Sequence, residues 1–130
     1  MATTTVYVVS GYAAIRDSLS ELAAAAGLRS EAHASLETWL EAVRPSQPGC
    51  LVLDASASDF SGAERLEQFA SICAVRPVLL LIDRGDVPVA VRAMREGAVD
   101  VLEKPYRDAN LLEHIQRADT AAAQASEAKR

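Results

Sequence analysis

The run of Leu51, Val52 and Leu53 that ends in Asp54 constrains the fold of this chain more than any other stretch. A short, continuous apolar run bounded by turn residues is typical of a strand buried on both faces, and such strands belong to parallel sheets covered by helices. In open α/β sheets, functional groups collect at the carboxyl ends of the strands. Asp54 is therefore a candidate site residue, although an aspartate here is equally expected simply to begin a turn.

The rest of the chain alternates strand-like and helix-like segments. Apolar and β-branched runs predict the strands, and amphipathic spacing with capping and stop residues predicts the helices. The predicted strands span residues 5–9, 28–33, 50–53, 77–82 and 98–102, and the predicted helices begin near Tyr12, Ser35, Gly62, Val87 and Asp108. Right-handed crossovers turn this order into an α/β, doubly wound (βα)5 three-layer sandwich with a five-stranded parallel sheet.

At 130 residues the chain is long enough for one domain with its own core. We expect the domain to span residues 1–118 and to be followed by a C-terminal helical extension or tail at residues 119–130. No apolar run approaches the roughly 20 residues that a membrane span needs, and the first five residues lack the basic flank and apolar core of a signal peptide. These features predict a cytoplasmic protein with no membrane partner.

The charge and the composition of the chain limit the kinds of ligand that it is expected to bind. The formal net charge of −5 argues against binding to the phosphate backbone of nucleic acids and favours protein partners. Cys50 and Cys73 lack the spacing of a disulfide framework or a zinc site, so we expect them in the core. Trp39 shares the apolar stripe of its helix and is expected there too. His33 and His114 show no ligand spacing and are expected on the surface.

A set of short motifs runs in order along residues 5 to 118. They are Val6-Tyr7-Val8-Val9, Arg16-Asp17-Ser18-Leu19, Leu51-Val52-Leu53-Asp54, Ser61-Gly62, Gly85-Asp86-Val87-Pro88, Ala90-Val91-Arg92-Ala93-Met94, Gly97-Ala98-Val99-Asp100 and Glu103-Lys104-Pro105. In this order they resemble the receiver domain of two-component response regulators, which has a CheY-like fold, and most closely the FixJ-like branch. The resemblance implies a signalling protein that is not an enzyme and that takes a phosphoryl group from a histidine kinase.

The resemblance assigns the phosphoacceptor to Asp54 and the charge-balancing lysine to Lys104. In the family, Mg²⁺ is held by the acceptor, by an acid pair after the first strand and by a carbonyl that falls on Ser56. The acid pair falls on Ser10 and Gly11, so both of its carboxylates are missing here. Because Mg²⁺ relies on carboxylate oxygens, we expect its binding to be weak or absent.

The resemblance also implies two switch positions. The family has a Thr or Ser hydroxyl where this chain has Ile82, and that hydroxyl draws in an aromatic residue that falls on Tyr106. Ile82 cannot form this bond, so the switch is expected to be lost although Tyr106 remains. The turn after Asp54 departs from the family as well, and Asp59 or Asp83 remains open as a substitute metal ligand, although both are also typical turn acids.

Two functions follow from these residues. Without a metal, Asp54 and Lys104 balance each other's charge, which favours an atypical receiver that acts through protein contacts with weak or absent phosphorylation. The alternative is a functional phosphoacceptor at Asp54. A hydrolase of the haloacid dehalogenase type needs a second aspartate where this chain has Ser56, and a flavin site needs a richer phosphate loop than residues 10–14 provide.

The expected partner surface is the face of the fourth helix, fifth strand and fifth helix, which in the family dimerises or docks output domains. In this sequence it contains Arg92, Arg95, Asp100, Tyr106 and Arg107. Charges of both signs suit paired contacts in a homodimer, although a solvated helix face remains open as the other interpretation. The sequence contains no DNA-binding module, so we expect either a single-domain regulator or part of a longer chain.

Overall fold

The computed structural model describes residues 4–57 and 62–128 of the chain. Its strands are β1 (Thr5–Val9), β2 (Arg29–His33), β3 (Gly49–Asp54), β4 (Val78–Ile82) and β5 (Asp100–Glu103). Its helices are α1 (Ala13–Ala25), α2 (Leu36–Ala42), α3 (Ala63–Val75), α4 (Val87–Arg95) and α5 (Asp108–Ala128), and a single 3-10 turn at Ala55–Ala57 follows β3. The predicted alternation of strands and helices is therefore confirmed.

The five strands form one parallel sheet in the order β2-β1-β3-β4-β5. The order reverses between β1 and β3, so the loops after these two strands diverge and leave a crevice at the carboxyl edge. The strand β2 lies at one edge of the sheet, as its polar sequence predicts, and the apolar strands β1, β3 and β4 lie in the centre. The predicted α/β doubly wound fold is confirmed.

The helices pack on the sheet through two hydrophobic layers, one on each face. On one face α2, α3 and α4 pack on alternate strand residues, including Tyr7, Leu53 and Leu80. On the other face α1 and α5 pack on the residues between them, including Val8 and Val52. This alternation follows from the two-residue period of a strand, which sends neighbouring side chains to opposite faces.

Local signals explain some of the helix ends. The Ser35 hydroxyl accepts the backbone N–H of Thr38 over 3.2 Å and caps α2 as predicted. Gly27 follows α1 with a φ of +76°, a conformation that favours glycine. Asp108, predicted as the cap of the last helix, is instead its first residue, because the helix already begins with a bond to the carbonyl of Arg107. An acid in the first turn still complements the helix dipole.

The cysteines and Trp39 lie as predicted, and the two histidines are half-buried at the surface. Trp39 and Cys50 are buried, and Cys73 packs half-buried against the core. Burial raises the pKa of Cys50 to about 12 and that of Cys73 to about 11, so both thiols stay protonated. The side chains of His33 and His114 are 14% and 15% exposed, and a ring nitrogen of each lies near a carboxylate oxygen, 2.9 Å from that of Glu31 and 3.1 Å from that of Asp100.

The last helix continues beyond the expected end of the domain. Ala118 and Ala122 are both buried against the α1 side of the sheet, and the Thr4 hydroxyl donates to the carboxylate of Asp119. The division at residue 118 stays a prediction, and the last two residues of the expected extension lie outside the described part of the chain. None of the described helices is both long enough and apolar enough to cross a membrane.

Candidate functional site

Asp54 is the last residue of β3 and lies buried at the carboxyl edge of the sheet. The residue is 1% exposed, and the chain leaves the strand through the 3-10 turn at Ala55–Ala57. Within this turn, the backbone N–H of Ser56 donates to Oδ1 of Asp54 over 3.1 Å. The turn thus directs a backbone donor at the carboxylate, as aspartate-initiated turns commonly do.

The carboxyl end of β1 places Ser10 beside this carboxylate. Ser10 is fully buried, and its hydroxyl donates to Oδ2 of Asp54 over 2.8 Å. The same hydroxyl oxygen accepts the backbone N–H of Tyr12 over 3.1 Å, and Arg16 donates to the Ser10 carbonyl over 2.8 Å. Because both functions of the hydroxyl are used, its proton is committed to Asp54. The next residue, Gly11, is exposed, and a Cβ built there meets no heavy atom within 4 Å.

Lys104 follows the carboxyl end of β5 and completes the cluster. Its Nζ donates to Oδ1 of Asp54 over 2.6 Å, and its side chain is 20% exposed. The Nζ also lies 4.0 Å from Oδ1 of Asp83 and 5.5 Å from the centroid of the Tyr12 ring. The backbone N–H of Lys104 donates to the Ile82 carbonyl over 2.8 Å, which ties the end of β5 to that of β4. The structure therefore brings together Asp54, Ser10 and Lys104 from three strand ends.

The charges of this cluster cancel. Burial by itself raises the pKa of the Asp54 carboxyl, but hydrogen bonds from Lys104, Ser10 and Ser56 outweigh it and hold the pKa below its usual range. The carboxylate is therefore ionised at neutral pH and faces the ammonium of Lys104. Both of its oxygens accept hydrogen bonds from the chain itself.

The candidate metal ligands do not gather around Asp54. Within residues 4–57 and 62–128, no group of three or more His, Cys, Asp or Glu side chains could hold a metal ion. The Asp83 side chain is 84% exposed and faces Lys104, whose positive charge lies between the two acids. Ser56 is exposed, and Asp59 lies outside the described residues. Asp54 is thus the one buried carboxylate that the described strand ends contribute.

The two switch positions lie on opposite faces of the sheet. Ile82 is 2% exposed and packs in the layer formed with α2, α3 and α4. Tyr106 is half-buried and packs against the layer formed with α1 and α5. Burial raises the pKa of Tyr106, and the carboxylates of Asp54 and Asp108 raise it further. The Ile82 side chain is hydrocarbon only, so it offers no hydrogen bond to a group on Asp54.

The predicted partner residues lie on α4, on β5 and on the segment that joins β5 to α5. Arg92, Arg95 and Arg107 are exposed, and Tyr106 is half-buried. The Asp100 carboxylate is engaged within the domain. Its Oδ2 lies 3.1 Å from Nε2 of His114 and 4.0 Å from a terminal guanidinium nitrogen of Arg117.

Sequence reasoning missed an exposed apolar stripe on α4. Val87, Val91 and Met94 are 62%, 43% and 50% exposed and follow helical spacing. Their spacing was visible in the sequence, but such a stripe is normally assigned to the core. Here the smaller Ala90 and Ala93 face the sheet instead.

Tyr12 and Arg16 were missed as well, and for a different reason. Both contact the Asp54 cluster from the beginning of α1. Arg16 belongs to a motif that carries the family resemblance, but nothing in the sequence marks Arg16 or Tyr12 as part of a site. Only the position of α1 above the carboxyl edge reveals their contacts.

The fold and the strand-end cluster have a counterpart among known families. The family model of the response regulator receiver domain matches residues 6–116. Because this match covers most of the chain, the chain belongs to the response regulator receiver domains, which act in two-component signalling. The predicted family is thereby confirmed.

Particular relatives agree with this assignment. Nodulation protein W of Bradyrhizobium diazoefficiens is 36% identical over 110 residues, which cover 85% of this chain and 48% of that protein. The transcriptional regulatory protein FixJ of Rhizobium meliloti is 36% identical over 114 residues, which cover 88% of this chain and 56% of that protein. The chain therefore spans about half the length of these curated relatives.

A solved structure shows the same similarity in three dimensions. The response regulator StyR has a TM-score of 0.84 and 37% sequence identity to this chain. The superposition covers 98% of this chain and 65% of the StyR chain. The relation to FixJ-like regulators is thus supported by both sequence and structure.

Proposed function

We propose that this receiver domain is atypical and signals through protein contacts, with weak or absent phosphorylation of Asp54. One observation carries the proposal: both oxygens of the buried Asp54 carboxylate are already bound by Lys104, Ser10 and the backbone of Ser56. A phosphoacceptor needs a free carboxylate oxygen that can attack the phosphoryl group. In this domain Oδ1 already accepts two hydrogen bonds, and Oδ2, which accepts one, belongs to a side chain that is 1% exposed, so a phosphoryl group can reach Oδ2 only if the groups that cover Asp54 move.

The residues around Asp54 do not fit Mg²⁺. This hard cation dehydrates reluctantly and is held by carboxylates, whereas Ser10 offers a hydroxyl that is already shared and Gly11 offers no side chain. The ammonium of Lys104 occupies the side of Asp54 that faces Asp83. The acidic metal pocket that the family would place here is therefore degenerate in our proposal, and no step of the signalling depends on a metal.

The switch positions support the same proposal. Ile82 cannot form a hydrogen bond with a phosphoryl group, and its side chain lies on the opposite face of the sheet from Tyr106. A group added to Asp54 therefore lacks the hydroxyl through which the family moves its aromatic residue. We expect the α4, β5 and α5 surface to be presented in one state whatever happens at Asp54.

A functional phosphoacceptor remains the second candidate, because Asp54 and Lys104 stand together at the strand ends. The two candidates are separated by incubating the protein with Mg²⁺ and a small phosphodonor and then measuring its intact mass. We expect no added phosphoryl group. An added mass that disappears in Asp54→Asn would favour the phosphoacceptor and overturn the contact-only function.

A gain-of-function variant makes the same test sharper. The double variant Ser10→Asp with Gly11→Asp restores both acids, and the space at Gly11 is open. We expect the double variant, unlike the parent, to bind Mg²⁺ in a calorimetric titration and to accept the phosphoryl group. The same double variant with Asp54→Asn is the matched control, because it keeps the new acids and lacks the acceptor. Equal Mg²⁺ binding by the parent chain would contradict the degenerate pocket.

We propose a second copy of the chain as a partner of the α4, β5 and α5 surface, with a histidine kinase or another signalling protein as a further partner of the domain. The apolar stripe of Val87, Val91 and Met94 provides the contact area, and Arg95 and Arg107 provide flanking charges. We expect a concentration-dependent dimer in analytical ultracentrifugation.

The dimer can be tested with two single substitutions. Met94→Asp places a charge in the middle of the apolar stripe and should abolish the dimer. Val75→Asp is the matched control, since Val75 is 62% exposed at the end of α3, outside this surface. A dimer that survives Met94→Asp would move the interface elsewhere.

For the domain itself we propose residues 1–118 as the receiver unit and residues 119–130 as a C-terminal helical extension or tail, of which the described part continues α5 to Ala128. The buried Ala122 and the bond between Thr4 and Asp119 anchor the first turn of this extension to the sheet. A chain that ends at residue 118 should therefore fold but unfold at lower urea concentration than the full chain.

A further inference from the structure

Tyr12 is the one aromatic side chain that lies against the ammonium of the Asp54 cluster among the residues that the structure describes. Its ring centroid is 5.5 Å from Nζ of Lys104. Its backbone N–H is held by the hydroxyl of Ser10, the same hydroxyl that donates to Asp54. One serine thus connects Tyr12 to the carboxylate, and the ring connects it to the lysine.

The position of Tyr12 is unusual for a residue that only fills space. Its side chain is not part of either hydrophobic layer, and the residue is 56% exposed. It precedes α1 without capping that helix through its side chain. Its neighbours Gly11, Ala13 and Ala14 are exposed and small, so among these four residues the Tyr12 ring is the one large group over the cluster.

The electrostatics of the contact favour a fixed lysine. The face of an aromatic ring carries partial negative charge and attracts an ammonium within about 6 Å. Lys104 has a flexible stem of four carbons, which without a second contact would let Nζ exchange between Asp54 and the exposed Asp83. Attraction to the ring keeps the ammonium over the buried carboxylate.

We propose that Tyr12 is a positioning residue that holds Lys104 on Asp54 and thereby controls access to this carboxylate. This inference rests on the proposed function, in which groups of the chain itself bind the Asp54 carboxylate, and it adds a residue that maintains this arrangement. Asp54 is 1% exposed, and the ammonium of Lys104, whose side chain is 20% exposed, covers its Oδ1, so a group that approaches this oxygen must displace the ammonium. Tyr12 resists this displacement through the face of its ring.

The chain offers a direct measurement, because Lys104 and Lys129 are its only lysines. The rate at which a water-soluble amine reagent modifies Lys104 is followed by peptide mass spectrometry, with Lys129 of the same molecule as the internal reference. Tyr12→Ala should raise the relative rate at Lys104 by about two- to fivefold, the factor that corresponds to an exposed cation–π contact. An unchanged rate would overturn the proposal.

Two further variants separate the ring face from simple coverage. Tyr12→Phe keeps the ring and should restore the low rate at Lys104, whereas Tyr12→Leu keeps apolar cover without the ring and should behave like Tyr12→Ala. A low rate in the leucine variant would overturn the role of the ring. Since Tyr12 lies outside the core, the variants should fold normally, which far-ultraviolet circular dichroism checks.

A spectroscopic readout tests the position of the ammonium itself. The ε-methylene protons of Lys104 should show a ring-current shift in the parent chain and in Tyr12→Phe, and no such shift in Tyr12→Ala or Tyr12→Leu. Neither the lysine rates nor these shifts depend on phosphorylation. A phosphoryl group on the parent chain therefore overturns the contact-only function alone, and lysine rates that ignore Tyr12 overturn the positioning role alone.

Discussion

Asp54 and Arg76 are buried charges at opposite ends of the same sheet, 1% and 7% exposed. Asp54 lies at the carboxyl edge and is compensated by an opposite charge, the ammonium of Lys104 at 2.6 Å. Arg76 lies at the amino edge, between α3 and β4, and its guanidinium carbon is 5.1 Å from the centroid of the Tyr7 ring and 5.5 Å from that of Trp39.

Backbone carbonyls complete the surroundings of Arg76. Its guanidinium donates to the carbonyl of Gly49 over 3.2 Å and to that of Gln47 over 3.5 Å. Among residues 4–57 and 62–128, no carboxylate forms a salt bridge with it. Arg76 is therefore accommodated by aromatic faces and neutral oxygens, both of which stabilise a buried guanidinium without an ion pair.

The difference between Asp54 and Arg76 predicts how the stability of the domain changes when a side chain is removed at each site. Removing one partner of a buried ion pair leaves the other charge uncompensated, which destabilises strongly. Removing a cation that has no buried counter-charge leaves only neutral groups behind. The Asp54 pair should therefore behave as a coupled unit, whereas Arg76 should be replaceable by an apolar side chain of similar length.

The largest expected effect is that of Lys104→Met. At pH 7 we expect the free energy of unfolding to fall by about 3 kcal/mol, the lower end of the range for breaking a buried pair, since Lys104 is partly exposed. Urea unfolding followed by the fluorescence of Trp39 measures this change. The double variant with Asp54→Asn should recover much of the loss. If it is no more stable than the single variant, the two residues are not coupled.

Ser10→Ala should come next. It removes the donor to Oδ2 of Asp54, and a hydrogen bond to a charged group contributes about 2 kcal/mol. The same urea titration measures it, and Ser18→Ala on the exposed side of α1 is the matched control, expected to change stability by less than about 0.5 kcal/mol. Equal effects of the two substitutions would show that the buried hydroxyl contributes nothing specific.

Arg76→Met should have a smaller effect, about 1 kcal/mol, because it leaves no charge uncompensated and the two hydrogen bonds that it removes are long, at 3.2 and 3.5 Å. Arg76→Ala is the matched comparison and should cost more, since it also leaves a cavity. The difference in stability between Arg76→Met and the parent chain should not depend on pH between neutral and mildly acidic conditions. A loss as large as that in Lys104→Met would erase the distinction between the two buried charges.

The smallest expected effect is the loss of stability that the protonation of Asp54 causes at acidic pH. The pKa of Asp54 is lowered in the folded chain, so its contribution to stability is present above its ordinary pKa and is lost as the pH falls through the lowered value. The parent chain should therefore lose more stability on acidification than Asp54→Asn does. Thermal unfolding of both proteins between neutral and strongly acidic pH measures the difference. Parallel curves would mean that the pKa of Asp54 is the same in the folded and unfolded chains.

Much of the fold could be predicted because its signals are local. Two-residue periodicity marks strands, three- to four-residue periodicity marks helices, and Ser35 and Gly27 mark helix ends through their own backbone chemistry. The meeting of Asp54 with Lys104 was predictable as well. Asp54 ends β3 and Lys104 follows β5, and the carboxyl ends of all strands of a parallel sheet lie at the same edge.

Other contacts depend on how elements are placed against one another. The Ser10 hydroxyl donates to a carboxylate 44 residues away in the sequence. It also accepts the backbone N–H of Tyr12, because the chain turns there into α1. The inward position of Arg76 contradicts the usual exposure of arginine and depends on two aromatic rings from β1 and α2. No local pattern contains either contact, because the partners are set by packing.

The sequence by itself therefore determined the (βα)5 order and the edge at which the site forms, since these follow from periodicity and from strand direction, and its resemblance to receiver domains assigned the acid and the lysine. Only the tertiary structure decided that Asp54 accepts hydrogen bonds from Ser10 and Lys104, that Tyr12 lies over the ammonium, and that the stripe on α4 stays exposed. These features rest on distances between side chains from separate elements, which depend on the packing of the whole domain.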